Sequence, residues 1–320
     1  WLNRDLGIAG RIFYRDAHGA IKDSLVNLDR FPVTIPQLAI HLDREVNEKG
    51  LILNKQEHLN ALAALEDSLL EGQSYLELLL KDVVDFKELI AHDLFLYPLE
   101  KAKLIGLQNA MIASYRIDSL SSVHAALNSI IDNSSPLQDE IKMMILWDNE
   151  EVGSQTTQGA GSPFFTQTLD RILTGLKVDK EESFCLLSRS TCISIDLAHA
   201  LHPNYAEKHD PQHQPFLGKG VVIKHNAQQR YATSALSSVP IKISAVLKKI
   251  PLQDFVSRND MPCGSTIGPI HASATGMHVI DIGTPQLSMH SCRELMACQD
   301  HIDLCSLLTN VINKTELTGK

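Results

Sequence analysis

The sequence lacks any run approaching the roughly 20 consecutive apolar residues that a membrane-crossing helix requires. Its first residues, Trp1-Leu2-Asn3-Arg4-Asp5, make neither a signal peptide nor a Met-initiated start. Positive charge is scarce: 29 Lys and Arg against 38 Asp and Glu leave a net charge of −9. That balance argues against a general phosphate-backbone binder, although one basic groove can hide in an acidic total. Cysteine is missing from the first half, and the six present (Cys185, Cys192, Cys263, Cys292, Cys298, Cys305) include no Cys-x-x-Cys. Such usage suits reduced thiols in a cytosolic protein better than a disulfide framework. There is no internal repeat and no low-complexity tract. What is there is ordinary for a globular chain: 320 residues, 44% apolar and 21% charged. Disorder, collagen and coiled coil are excluded on composition, and the length allows one large domain or two smaller ones.

The pattern changes near residue 75, where Glu71-Gly72-Gln73-Ser74 reads as a linker. Before it, Gly10–Tyr14 and Ser24–Leu28 read as short strands separated by turns at His18-Gly19 and Phe31-Pro32. Helices are expected around Gln37–Glu48 and Glu57–Leu70. After the linker, helix and strand patterns alternate. Helical stripes run through Leu76–Val84, Leu120–Ile131, Phe164–Leu173 and Leu295–Ile312. Leu94–Tyr97, Ile141–Trp147, Cys192–Ile195 and His278–Ile282 read as strands. Alternation of this kind, with several strands apolar throughout, predicts an α/β protein whose sheet is covered by helices on both faces.

The sharpest chemical feature is Asp148-Asn149-Glu150-Glu151-Val152-Gly153-Ser154, directly after the apolar run Ile141–Trp147. Three carboxylates in four residues are commonly a solvated turn. Beyond the carboxyl end of a buried strand they occupy the usual place for a site, where something cationic would have to hold them. Asp118 sits where a helix begins and can equally be a helix N-cap. Asp196 ends the strand Cys192–Ile195, and His290 lies between the strand His278–Ile282 and the last helix. A lone His in such a loop is more often structural than a ligand. Together, carboxylates and one His at loop positions after strands fit a two-metal hydrolytic site. Within it, one of two adjacent glutamates can bind metal while the other takes a proton from water.

Four stretches resemble the aspartyl aminopeptidase family of metallopeptidases. They are Asp148–Ser154, the segment from Asp196 through His199 and His202 to Tyr205, Asp260–Gly268, and Gln286-Leu287-Ser288-Met289-His290-Ser291. The amino half joins them through Arg30–Leu42, so the resemblance spans essentially the whole chain. It implies a zinc exopeptidase core, a mixed sheet covered on both faces, over 76–320. Residues 1–75 would be a smaller, largely β lid or dimerisation domain. It implies removal of amino-terminal Asp or Glu from short peptides, with two zinc ions per subunit. Manganese or cobalt would also suit carboxylate ligands. Carried onto this chain, Asp118 bridges the metals, Asp196 binds one, Glu151 and His290 bind the other, and Glu150 is the general base. Lys224 and Tyr231 would face the acidic side chain of the substrate, with Lys224 otherwise a surface lysine. His199 would contact substrate or the reacting oxyanion, and His41 would reach a neighbouring subunit. His202, His209, His213 and His225 would line the pocket entrance or a subunit contact, a separate zinc site being the alternative. A cytoplasmic homo-oligomer, a dodecamer built from dimers, is the implied assembly, with neither nucleic acid nor membrane as partner.

One departure stands out. The family carries a His-x-Asp motif upstream of the position matched by Trp1, which supplies a further metal ligand and an aspartate that orients it. The expectation is therefore an amino-terminally incomplete chain in which one metal has only Asp118 and Asp196, short of the usual three protein ligands. Two rival readings stay open: an aminopeptidase of neutral or basic preference, and a non-catalytic or truncated assembly subunit of the same family.

Overall fold

The computed structural model describes residues 1–65, 72, 74–131 and 140–313. The chain forms two compact units, Trp1–Lys101 and Ala102–Lys320. Among the described residues no helix is long and apolar enough to cross a membrane.

The first unit is built on an antiparallel sheet of β1 (Leu6–Arg15), β2 (Ile21–Val33) and β3 (Glu88–Pro98), with β1 in the centre. Asp16 closes the β1–β2 turn, its Oδ1 accepting the backbone N–H groups of His18 and Ala20, each at 2.9 Å. Alternation along the strands sends Ile12, Tyr14, Val26 and Leu28 to one face. There they meet Leu79 and Leu80 of α2 (Tyr75–Lys81), a helix capped by Ser74, whose hydroxyl accepts from the Glu77 N–H. The opposite face leaves Leu25 75% and Phe95 67% exposed. Gly10 in β1 lies so close to β3 that a Cβ there would stand 2.0 Å from the Asp93 carbonyl oxygen. The unit runs on to Lys101 rather than ending near residue 75, because β3 completes its sheet.

Among the described residues the two helices expected here are not found. Only α1 (Val46–Lys49) is helical within Gln37–Glu48. Leu38, Ile40 and Leu42 are exposed: they recur at every second position, so no helical face gathers them. Residues 57–65 are turn and irregular chain with a single bridge, Thr34 to Leu62, and residues 66–70 of that expectation lie outside the described residues.

In the second unit the elements follow as β4 (Lys103–Ile105), β5 (Met111–Ser114), α3 (Ile117–Ile131), α4 (Phe164–Gly175), α5 (Lys180–Arg189), β6 (Thr191–Ile195), β7 (Ala198–His199) and β8 (Val221–His225). They continue as α6 (Ala235–Lys248), β9 (Leu252–Val256), α7 (Gly268–Thr275), β10 (His278–Gly283), β11 (Pro285–Leu287), β12 (Glu294–Ala297) and α8 (Cys298–Asn313). A mixed sheet runs in the order β6-β10-β8-β9, with β10 parallel to β6, antiparallel to β8, and β8 parallel to β9. Its central strands, β8 and β10, are buried on both sides because both sides are covered. Ile223, Ile280 and Ile282 pack against Ile241 and Ala245 of α6 and Leu304, Leu307 and Leu308 of α8. Asp281, pointing the other way, meets α7, where a Cβ on Gly268 would lie 2.4 Å from its carboxylate. A second sheet, β4-β5-β12-β11-β7, shares the carboxyl-terminal end of this layer through the consecutive strands β10 and β11.

Two further readings are corrected. Ile141–Trp147 forms no strand: no strand among the described residues is paired with it, and a strand is defined by its ladder. Ile145 and Trp147 pack on Phe165, Leu169 and Leu173 of α4, while Ile141, Met143 and Leu146 are exposed. The last helix begins at Cys298, and Leu295 belongs to β12, so His290 lies between two strands and not directly before the helix.

Candidate active site

Four loops of the second unit converge. The first is the entry to α3. Asp118 there is not an N-cap: its ψ of 110° is extended, and its side chain turns away from the helix toward the other acids. The second is the turn after Trp147. Asn149 and Ser154 take left-handed conformations, φ 57° and 61°, and the Ser154 N–H returns to the Asn149 carbonyl at 2.9 Å. This tight loop holds Glu150 and Glu151 on a single helical turn. The third is the end of β6, where Asp196 donates its N–H to the Ile282 carbonyl at 3.0 Å. A Cβ on Gly283 would collide with the Asp196 carbonyl oxygen, 1.5 Å away, so this approach requires glycine. The fourth is the loop between β11 and β12, with His290 at φ 65°.

His290 Nε2 lies 3.2 Å from Asp118 Oδ2 and 3.1 Å from Glu151 Oε2. These three side chains offer ligand atoms all within 4.8 Å of one another. Asp118 also shares a side-chain hydrogen bond with Asp196. Burial, then the charge of Asp196, drives the Asp118 carboxyl well up. Burial pushes Asp196 up as well, but the Lys224 ammonium and its hydrogen bonds more than reverse that and hold it below the usual range. Glu150 does not join the cluster of three. Burial first, and then Asp196 and Glu151, raise its carboxyl to about 7, which poises it to exchange protons at neutral pH.

Lys224 is not a surface lysine. It is among the most buried side chains of the protein, and its Nζ donates to Asp196 Oδ2 at 3.0 Å and to the Leu197 carbonyl at 2.8 Å. The Tyr231 ring lies 5.2 Å from that nitrogen. Tyr231 and His199 line a cleft of about 280 Å³, with His202, His209, Phe255 and Met261 among its other walls. His209 Nε2 accepts the His202 backbone N–H at 3.1 Å, His213 pairs with Asp210 and His225 with Asp254. No metal cluster forms from these four histidines among the described residues. His41 is exposed in a turn of the first unit.

One functional residue escaped the sequence reading. Glu294, 2% exposed, accepts the backbone N–H of Asp118 at 3.0 Å through Oε2 and that of His290 at 2.8 Å through Oε1. It thereby sets the position of two of the three clustered side chains. The available signal was an acid inside the otherwise apolar strand Glu294–Ala297.

The donor set fits divalent metal. One position, Asp118 with Glu151 and His290, has the three protein ligands of a catalytic zinc site. A second, between Asp118 and Asp196, has two carboxylates from these residues, one already neutralised in part by Lys224.

The model of a family described as aminopeptidase I zinc metalloprotease (M18) matches residues 1–311. A probable M18 family aminopeptidase 2 of Clostridium novyi is 41% identical over 304 residues, 94% of this chain and 70% of that protein. A probable aspartyl aminopeptidase of Ricinus communis is 40% identical over 347 residues, again 94% of this chain and 70% of that protein. Among solved structures, a cryo-EM structure of a complex of Ape4 and Nbr1 superposes with a TM-score of 0.87 at 35% identity. That match covers 98% of this chain and 63% of the solved one, so the chain spans less than two thirds of its length. An mApe1 dodecamer of S. cerevisiae matches at a TM-score of 0.77 and 26% identity, over 97% of this chain and 69% of that one. A family match along nearly the whole length, agreeing with a carboxylate and imidazole cluster at the strand ends, leads to one conclusion: the chain belongs to the M18 family of zinc metalloproteases.

Proposed function

We propose that the protein is a zinc-dependent aminopeptidase that removes acidic amino-terminal residues from short peptides. The observation that carries this reading is the Asp118–Glu151–His290 cluster, three metal-ligating side chains within 4.8 Å of one another, with Glu150 set next in sequence to Glu151. The names of the plant and other relatives as aspartyl aminopeptidases support the substrate class. Asp118 would lie between two zinc ions, Asp196 on one and Glu151 with His290 on the other. Zinc in these positions would polarise the scissile carbonyl and make the attacking water more acidic. Glu150 takes the water's proton on its carboxylate and returns it to the leaving amine. Glu294 keeps Asp118 and His290 in place throughout by holding their backbone N–H groups.

The cleft lined by His199 and Tyr231 receives the amino-terminal residue, and Lys224 behind Tyr231 supplies positive charge at that wall. One observation favours a second reading, neutral preference: the Lys224 ammonium is already committed to Asp196 and the Leu197 carbonyl. The first unit, with His41, would serve subunit contacts of a homo-oligomer, up to a dodecamer; the S. cerevisiae dodecamer and the exposed Leu25 and Phe95 support this. A cytoplasmic location is consistent with six cysteines none of which is in a disulfide.

Hydrolysis of aspartyl and leucyl anilides by the purified chain, with zinc or manganese added, tests the proposal. Turnover selective for the aspartyl compound and abolished in Glu150→Gln is expected. Equal or leucyl-selective turnover establishes the second reading, and an unchanged Glu150→Gln rate overturns the mechanism.

A further inference from the structure

A second cluster lies away from the carboxylates, where α3 packs on α8. His301 and Cys305 are one helical turn apart on α8 and so share a face. His124 reaches them from α3, its Nδ1 2.9 Å from His301 Nε2. The same His301 nitrogen is 3.7 Å from the Cys305 sulfur. All three offer ligand atoms within 4.8 Å of one another. The other His301 nitrogen, Nδ1, is buried and without a hydrogen-bond partner among the described residues, so Nε2 is the only one the ring puts to use. Asn128, one turn beyond His124, points its amide at the same spot, 3.3 Å from His124 Nδ1 and 4.0 Å from the sulfur.

We propose that His124, His301 and Cys305 form a second metal site, for a single borderline-soft divalent cation of the zinc class, which cross-links α3 to α8. Zinc bonds of ~2.0–2.1 Å to nitrogen and ~2.3 Å to sulfur, in a tetrahedron, put nitrogen ~3.4 Å from nitrogen and ~3.6 Å from sulfur. The spacing of the His301 nitrogen from the sulfur, 3.7 Å, already matches. The two imidazoles need to part by about half an ångström, which a small rotation of the exposed His124 ring away from His301 would supply. Two imidazoles and one thiolate select zinc, cobalt or cadmium over magnesium and calcium, which want oxygen. The fourth position faces solvent at His124 and takes water. The site is independent of the catalytic proposal, since it shares no ligand with the carboxylate cluster.

Cobalt separates the two sites by colour. A thiolate ligand gives cobalt an intense near-ultraviolet charge-transfer band that carboxylates and imidazoles do not. Titration of the chelator-treated full chain with Co2+ should develop that band to one equivalent, and it should be absent in Cys305→Ser and reduced at least tenfold in His124→Ala. Zinc bound at equilibrium should fall by one ion per chain in Cys305→Ser, with far-ultraviolet circular dichroism unchanged. His124 is exposed, so His124→Ala tests the site without threatening the fold. Absence of the band in the unmodified protein, its persistence in Cys305→Ser, or equal zinc stoichiometry in both would overturn the proposal.

Discussion

The indole Nε1–H of Trp147 donates to Nε2 of His271 at 2.9 Å, tying the residue just ahead of the acidic loop to α7 beneath the mixed sheet. The two rings also lie face to face at a tilt, with centroids 5.4 Å apart, and the Phe165 ring meets His271 edge-on at 5.3 Å. The loop that carries Glu150 and Glu151 therefore leaves from an anchored residue although the run before it has no ladder.

This anchor should be sensitive to acid. Burial lowers the His271 pKa below its usual value, so the folded protein holds the ring neutral and free to accept from Trp147. A group depressed in the folded state adds stability above its unfolded value and loses it as pH falls. Thermal melts between about pH 7.5 and about pH 5 should show the transition falling on the acid side of the ordinary histidine value of ~6.5. In His271→Phe, which has no proton to gain, that part of the slope should disappear while Trp147 emission changes at neutral pH. An unaltered slope in the variant would sink the assignment.

Glu150→Gln keeps the shape of the loop and removes the proton acceptor. Loss of the general base is worth about 10²–10⁴-fold in rate. The expected result is a fall of that size in kcat with zinc content unchanged, because Glu150 is outside the Asp118–Glu151–His290 cluster. Metal analysis alongside steady-state kinetics distinguishes this from simple loss of metal.

Lys224→Met leaves the Asp196 carboxylate without its cation in a crowded site. Removing one partner of a buried ion pair costs about 3–5 kcal/mol. Because Asp196 is partly open to solvent, the lower end or less is expected from urea unfolding. If the ammonium also serves the substrate, aspartyl selectivity over leucyl should shrink in the same variant. A stability loss with selectivity intact would give Lys224 a structural role alone.

Glu294→Ala should disable the site without touching a metal-binding side chain. Each buried N–H left without an acceptor costs about 1–3 kcal/mol, and Asp118 and His290 each lose one. Lower stability and weaker zinc binding are expected together, with Glu294→Gln recovering part of both because its amide oxygen can still accept one bond. Zinc titration of the folded variants reads the effect.

How far the sequence could be read depended on whether the deciding interaction was local. Strands β6 and β10 were visible because they are apolar at consecutive positions, as buried strands are. Glu150, Glu151, Asp118, Asp196 and His290 stand out as chemistry-bearing residues in loops beside apolar runs, and the resemblance gives them roles. The helix expected over 37–48 failed because Leu38, Ile40 and Leu42 lack helical spacing. The run Ile141–Trp147 has strand chemistry, but a strand also needs a neighbour, and no local pattern reports one. In the sequence Lys224 fits a pocket cation or a surface lysine; only the fold shows it sealed against Asp196. Glu294, like the meeting of His124 with His301 and Cys305, depends on pairs more than 170 residues apart and left little trace in any single stretch.

The hold that Glu294 exerts also has a kinetic side. His290 is four residues from it, but Asp118 is 176 residues away, so the second bond closes one of the longest loops in the chain. Contacts at such separation are entropically slow to make. During synthesis or refolding, the cluster can assemble only after β12 has emerged and docked beside β5, near the carboxyl-terminal end of the second unit. A chain with every helix already formed would still lack the Asp118–Glu151–His290 arrangement, and its return on refolding would follow the slowest step, well behind the return of secondary structure.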